Sequence, residues 1–145
     1  MFIYWDKKLE IGNQLVDTEH RMLIMLFRKL DIAIKTGQSE NAIRHVIVEV
    51  KKFAEFHFAS EENLMREVGY PELSRHEAIH SHLLQQLEVL ISRMSRRREF
   101  PEDLLFFLSN WTIRHIGLED QKIADYVRES EARPIAEAIY SHFLR

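Results

Sequence analysis

The sequence predicts an all-α fold, an up-down-up-down four-helix bundle, on three observations. Apolar residues recur at three- and four-residue steps over long stretches, only four Gly and three Pro interrupt the chain, and the links between the stretches are short. A length of 145 residues with 46% apolar and 30% charged side chains suits one domain with one core. Twenty Lys and Arg against 23 Asp and Glu leave a net charge of -3, too balanced for a dedicated nucleic-acid binder or a polybasic membrane anchor. The absence of Cys removes disulfides, thiolate metal sites and cysteine nucleophiles together.

Residues 1–16 form an aromatic-containing arm without a clear period. A first helix is expected over residues 17–35, with Leu23, Ile24, Phe27, Leu30 and Ile34 on one face and Gly37 placed for a left-handed cap. Ser39 caps a second helix, whose face runs through Ile43, Val46, Ile47, Val50, Phe53, Leu64 and Val68 until Gly69-Tyr70-Pro71 stops it. A third spans residues 73–94, with Leu83, Leu84, Leu87 and Ile91 inward, and ends at the basic run Arg96-Arg97-Arg98, which suits the negative end of a helix. Pro101 fits the first turn of a fourth helix that reaches Arg128. The bundle with its arm therefore occupies residues 1–128. Residues 129–145 are a carboxyl-terminal extension in which Ile135, Ala138, Ile139 and Phe143 predict a short extra helix. The amino terminus lacks the charged head and apolar core of a signal peptide, and no apolar run approaches the roughly 18 residues of a membrane span, so a cytoplasmic protein is expected.

Five of the eight histidines fall on the apolar faces, where imidazoles require compensation. His20 begins the face continued by Leu23, Ile24 and Phe27. His57 and Glu61 extend the second stripe by four-residue steps, His76 and His80 lead into Leu83 and Leu84, and Leu104, Leu108 and Trp111 run into His115. Beyond His115 the same register selects Glu119, Lys122 and Tyr126, a poor core. A shift of one residue repairs it with Asp120, Ile123, Ala124 and Val127, as a single π turn between His115 and Asp120 would. In an ideal α-helix a five-residue step would leave the two about 140° apart. His45, His82 and His142 lie off these faces and read as solvent histidines.

Isolated buried ions each cost about several kcal/mol, and metal coordination resolves the conflict for five His and two carboxylates together. A sulfur-free set of imidazoles and carboxylates suits iron, manganese or zinc, and seven ligands exceed the four or so of one zinc ion. Two metal ions bridged by the carboxylates match the count better.

These residues resemble the hemerythrins, specifically the stand-alone bacterial ones, over about residues 5–127. Trp5, Gly12 and Asp17-Thr18-Glu19-His20 resemble the family's arm and first ligand. His57-Phe58-Ala59-Ser60-Glu61-Glu62 with Met65 is similar to its H-F-x-x-E-E segment, followed by Gly69-Tyr70-Pro71 and the pair His76 and His80. Trp111 to His115 and Asp120 resemble the final W-x-x-x-H-x-x-x-x-D element. The resemblance implies two iron ions with an oxo or hydroxo bridge. His76, His80 and His115 would hold one iron, His20 and His57 the other, and Glu61 and Asp120 would bridge them, leaving a position for dioxygen on the two-His iron. It further implies a dioxygen pocket at Leu23, Phe58, Trp111 and Ile116, each of which reads equally as core, and Thr112 departs from the apolar residue expected beside Trp111.

The implied function is reversible dioxygen binding, for storage, transport or delivery, by a carrier and not an enzyme, with dioxygen as ligand, an unidentified protein recipient, and neither nucleic acid nor membrane as partner. Three alternatives stand beside it. A di-iron oxygen or nitric oxide sensor would act through a separate protein. A peroxide-reactive oxidase would keep the metals, although a first shell dominated by His departs from the Glu-rich ferritin-like pattern, of which Glu77 and His80 are one instance. His76-Glu77-Ala78-Ile79-His80 satisfies the zinc metalloprotease signature H-E-x-x-H, with Glu77 as general base, but that reading leaves the other five candidates without a role.

Overall fold

The computed structural model describes residues 4–95 and 101–129. Four antiparallel helical rods follow from the apolar stripes: α1 (Gln14–Lys35), α2 (Glu40–Val68), α3 (Leu73–Ser95), and a fourth built from α4 (Pro101–Arg114), a π-helical segment (His115–Asp120) and α5 (Gln121–Glu129). The first helix starts earlier than its stripe because the Asn13 side chain caps it, accepting from the Val16 N–H at 3.0 Å. Ser39 does the same for α2 through the Ala42 N–H at 3.1 Å.

Gly69, at φ 67° and ψ 40°, ends α2 in the left-handed region that a side chain disfavours, and the Tyr70 N–H donates to the Met65 carbonyl at 2.8 Å. The expected basic run at residues 96–98 and the helix at residues 134–144 lie outside the described residues, as does His142.

The arm is tied down by Asp17, whose buried carboxylate accepts from the N–H groups of Ile11 at 2.8 Å and Gly12 at 3.2 Å. A 3-10 turn at Lys7–Leu9 places Leu9 in the core, and the Arg21 guanidinium lies 4.9 Å from the centre of the Trp5 ring. The Gln121 amide donates to the Glu10 carbonyl at 3.0 Å, pinning the arm to the start of α5.

Two main apolar layers and a small cluster of Ala54, Phe58 and Leu83 fill the bundle among the described residues. The larger contains Leu23, Ile24, Phe27, Leu30, Ile47, Val50, Leu87, Leu104 and Leu108. The smaller joins Ile11 and Val16 to Leu64, Met65, Val68, Tyr70, Ile123 and Ala124. Following each helix along its sequence, polar side chains interrupt the inward face between these layers: His20 between Val16 and Leu23, His57 and Glu61 between Val50 and Leu64, and His115 and Asp120 between Leu108 and Ile123, with Ala54, Phe58 and Ile116 as apolar neighbours. Among the described residues no helix is long and apolar enough to cross a membrane.

Candidate metal centre

Each rod contributes to one buried cluster. α1 supplies His20, α2 supplies His57 and Glu61 one turn apart, and α3 supplies His76 and His80 one turn apart. The fourth rod supplies His115 and Asp120, the first and last residues of the π segment. The wider π turn carries Asp120 back over His115, so that Oδ1 lies 3.0 Å from His115 Nε2, and restores Ile123 and Ala124 to the core. All seven side chains are buried, from 0% exposed for His20, Glu61 and Asp120 to 5% for His115.

The donor atoms converge into two overlapping sets. Glu61, His76, His80, His115 and Asp120 form one, and His20, His57, Glu61 and Asp120 the other, each with one ligand atom per residue within 4.8 Å of all the rest. Asp120 links the sets, with Oδ1 3.2 Å from His76 Nε2 and Oδ2 3.2 Å from His20 Nε2. Glu61 Oε1 lies 3.2 Å from His57 Nε2 and 3.6 Å from His80 Nε2, and the Nε2 atoms of His80 and His115 are 3.2 Å apart.

In the metal-free protein these charges compensate one another. Burial alone would lower the His57 pKa, but the Glu61 and Glu19 carboxylates outweigh it and raise it to about 10. Burial lowers that of His80, while at His115 the Asp120 carboxylate overcomes burial and raises it. Burial and mutual repulsion oppose ionisation of Glu61, yet the imidazoles around it win and lower its pKa, and Asp120 is likewise held well below the ordinary range. Both carboxylates therefore stand in the anionic form a cation requires.

The donor set fits a metal. Both oxygens of Glu61, both of Asp120, both ring nitrogens of His20 and Nε2 of His76 are buried and, among the described residues, make no well-aligned hydrogen bond, although close charge contacts involve several of them. Such atoms cost about 1–3 kcal/mol each when left unmet, more when charged. Cations placed among them would satisfy the convergent ligand atoms at once. Nitrogen and oxygen donors without sulfur suit iron, manganese or zinc.

A supporting shell escaped the sequence reading. Glu19, 4% exposed, accepts from His57 Nδ1 at 2.8 Å, and the Ser60 hydroxyl donates to its other oxygen at 2.9 Å. The signal was available: Glu19 is three residues after Val16 and four before Leu23, on the inward face, and Ser60 follows His57 by three. Glu62 Oε1 lies 3.9 Å from His80 Nδ1, beyond hydrogen-bond distance.

Glu77 faces outward. Its side chain is 36% exposed and accepts from Arg66 at 2.9 Å, so the residue that the protease reading needs as a base stands apart from the cluster, and its spacing to His80 does not make a ferritin-like pair of ligands. His45 and His82 are exposed, as their helix positions predict.

The candidate pocket residues divide. Leu23 and Ile116 belong to the larger apolar layer, and Thr112 is buried on α4. Phe58 stacks on His80 with ring centres 3.9 Å apart, and Trp111, half-buried, stacks on His115 at 4.3 Å. The two aromatic rings thus cover the three-histidine end.

Fold and site together define a four-helix bundle with a buried cluster of imidazoles and carboxylates suited to a metal. Residues 12–127 match the family of the hemerythrin HHE cation binding domain, and the chain belongs to that family. A bacteriohemerythrin of Stenotrophomonas maltophilia is 32% identical over 126 residues, 87% of this chain and 82% of that protein. One from Pseudomonas aeruginosa is 30% identical over 88% of this chain and 83% of its own length, and one from Campylobacter jejuni 28% identical over 87% and 96%. A crystal structure of a hemerythrin mutant superposes with a TM-score of 0.76 at 23% identity, covering 87% of this chain and 98% of that one.

Proposed function

We propose that this protein binds dioxygen reversibly, as a carrier and not an enzyme, at a di-iron centre with an oxo or hydroxo bridge. His76, His80 and His115 hold one iron, His20 and His57 the other, and Glu61 and Asp120 are shared between them. The observation that carries this reading is the division of the seven side chains into two overlapping donor sets, one with three imidazoles and one with two, joined by the same two carboxylates. The unequal count leaves the two-histidine end with one fewer protein ligand. When bound, the iron pair supplies the electrons and the open coordination position that dioxygen binding needs.

The chain's own residues supply the surroundings. Glu19 fixes His57 with Nδ1 protonated and Nε2 directed at the centre, which orients the ligand and raises its basicity. The apolar layers flanking the cluster and the rings of Phe58 and Trp111 exclude water, and so protect a bound gas from adventitious protons. Leu23, Ile116 and Thr112, all buried, are the further residues that this reading assigns to the dioxygen pocket, Thr112 being the polar one.

The test is anaerobic reduction of the iron-loaded protein, exposure to air and then removal of dioxygen, with the visible spectrum recorded throughout. A spectrum that appears in air and vanishes on deoxygenation over repeated cycles supports the carrier. One-way oxidation in the first cycle assigns an oxidase instead.

A further inference from the structure

The four seams of the bundle are unequal. α1 packs closely on α2 and on α4, and α2 on α3, whereas α3 and α4 approach each other less. Two cavities open along that loose seam, one of about 450 Å³ and one of about 420 Å³, and Phe107 lines both. Ile79, Phe106, Trp111 and Leu118 wall the first, and Val89 and Leu90 lie in the second among His82, Gln85, Gln86 and Arg93. Phe106, Leu118 and Val89 are 58%, 61% and 51% exposed, so one seam carries three large apolar side chains in water. Scattered exposed hydrophobics are ordinary, but two neighbouring recesses that share Phe107 and carry exposed apolar side chains offer a place for an apolar group to bind.

The polar groups of the first cavity name the ligand class. Arg114 lines it and, among the described residues, makes no ion pair or hydrogen bond. Asn110 adds an amide on the same helix. The acidic group on this rim, Glu119, is already engaged, accepting from Arg75 at 2.6 and 3.1 Å with Lys122 at 3.6 Å. An uncommitted guanidinium beside a spent carboxylate favours an anion, and its planar fork matches a carboxylate group.

We propose that the α3–α4 seam binds an amphipathic carboxylate of the fatty-acid class. Arg114 and Asn110 take the head group, and the chain lies past Trp111 and Phe107 toward Leu90 and Val89. Trp111 lines the recess while its ring stacks on His115, so the ligand would lie one side chain from the metal cluster. This inference rests on the seam alone and stands whether or not the centre carries dioxygen.

Isothermal titration of the full-length, metal-loaded protein with decanoate, below its micelle concentration, tests it. One saturable site per chain is expected, with decanol weaker than decanoate. Arg114→Gln and Val89→Asp should each weaken decanoate at least about tenfold, since each removes or opposes one half of an amphipathic match. Lys29→Gln, on the far side of the bundle where Lys29 pairs with Glu49 at 2.8 Å, should leave affinity unchanged. Far-UV circular dichroism verifies that the variants fold. Absence of saturable binding, equal affinity for decanol, or affinity unchanged by either seam substitution overturns the proposal.

Discussion

Glu19 Oε1 lies 2.8 Å from His57 Nδ1, a contact between α1 and α2 in which both partners are buried. It fixes which imidazole nitrogen faces the centre. Outer-shell partners of this kind are worth about 10–100-fold in metal affinity. Glu19→Ala should therefore weaken metal binding by that order, measured by competition with a chelator, while Glu19→Gln, which can still accept through its amide oxygen, should recover part of the loss. Equal affinity in all three proteins would reduce Glu19 to a packing residue.

The charges of the metal-free cluster predict a pH dependence. The folded His57 pKa of about 10 exceeds its ordinary 6.5, so the stability it contributes is fully present below pH 6.5 and is lost as pH rises through 10. Glu61 and Asp120 are depressed below 4.5 and 3.8, so their contribution is present above those values and lost as pH falls through the lowered ones. Chelator-treated protein should thus melt at progressively lower temperature from pH 6.5 to 10. Metal binding displaces the His57 proton, so the gap between loaded and metal-free Tm should widen over the same range. A gap that narrows as pH rises would contradict this charge assignment.

Thr112 places a hydroxyl in a buried position of the proposed dioxygen approach. Thr112→Leu removes a group that can admit water, and oxygenated protein should decay more slowly in the variant. The absorbance of the oxygenated form, followed over hours, checks this. Unchanged decay would confine Thr112 to local helix bonding, as Thr often adopts through the carbonyl one turn back.

Ser109 is fully buried on α4 and its hydroxyl has no hydrogen-bond partner among the described residues. Removing an unmet hydroxyl and gaining the helix propensity of Ala should make Ser109→Ala more stable by about 1 kcal/mol. Denaturant unfolding of metal-free protein measures it, and a loss of stability would mean that the hydroxyl has a function in the fold.

Much of this could be read from residue spacing because the helices are long and the intruding residues obey their period. The break in register after His115 required an extra residue, and the π segment His115–Asp120 supplies it. His45 and His82 separate from the cluster by their angular position alone. What spacing could not give depends on contacts between helices. The start of α1 at Gln14 follows from an Asn13 cap that carries no apolar signal, and the pairing of Glu19 with His57 needs the relative height of α1 and α2. The stacking of Phe58 and Trp111 on the three-histidine end likewise depends on ring directions set by helix packing.

The central claim is that one buried cluster holds two iron ions sharing Glu61 and Asp120. Anomalous scattering at the iron edge from crystals of the iron-loaded protein tests it most directly. Two iron peaks per chain are predicted, one beside His76, His80 and His115 and the other beside His20 and His57, with Glu61 and Asp120 between them. A single peak, or peaks that leave Asp120 or Glu61 unligated, would contradict the account.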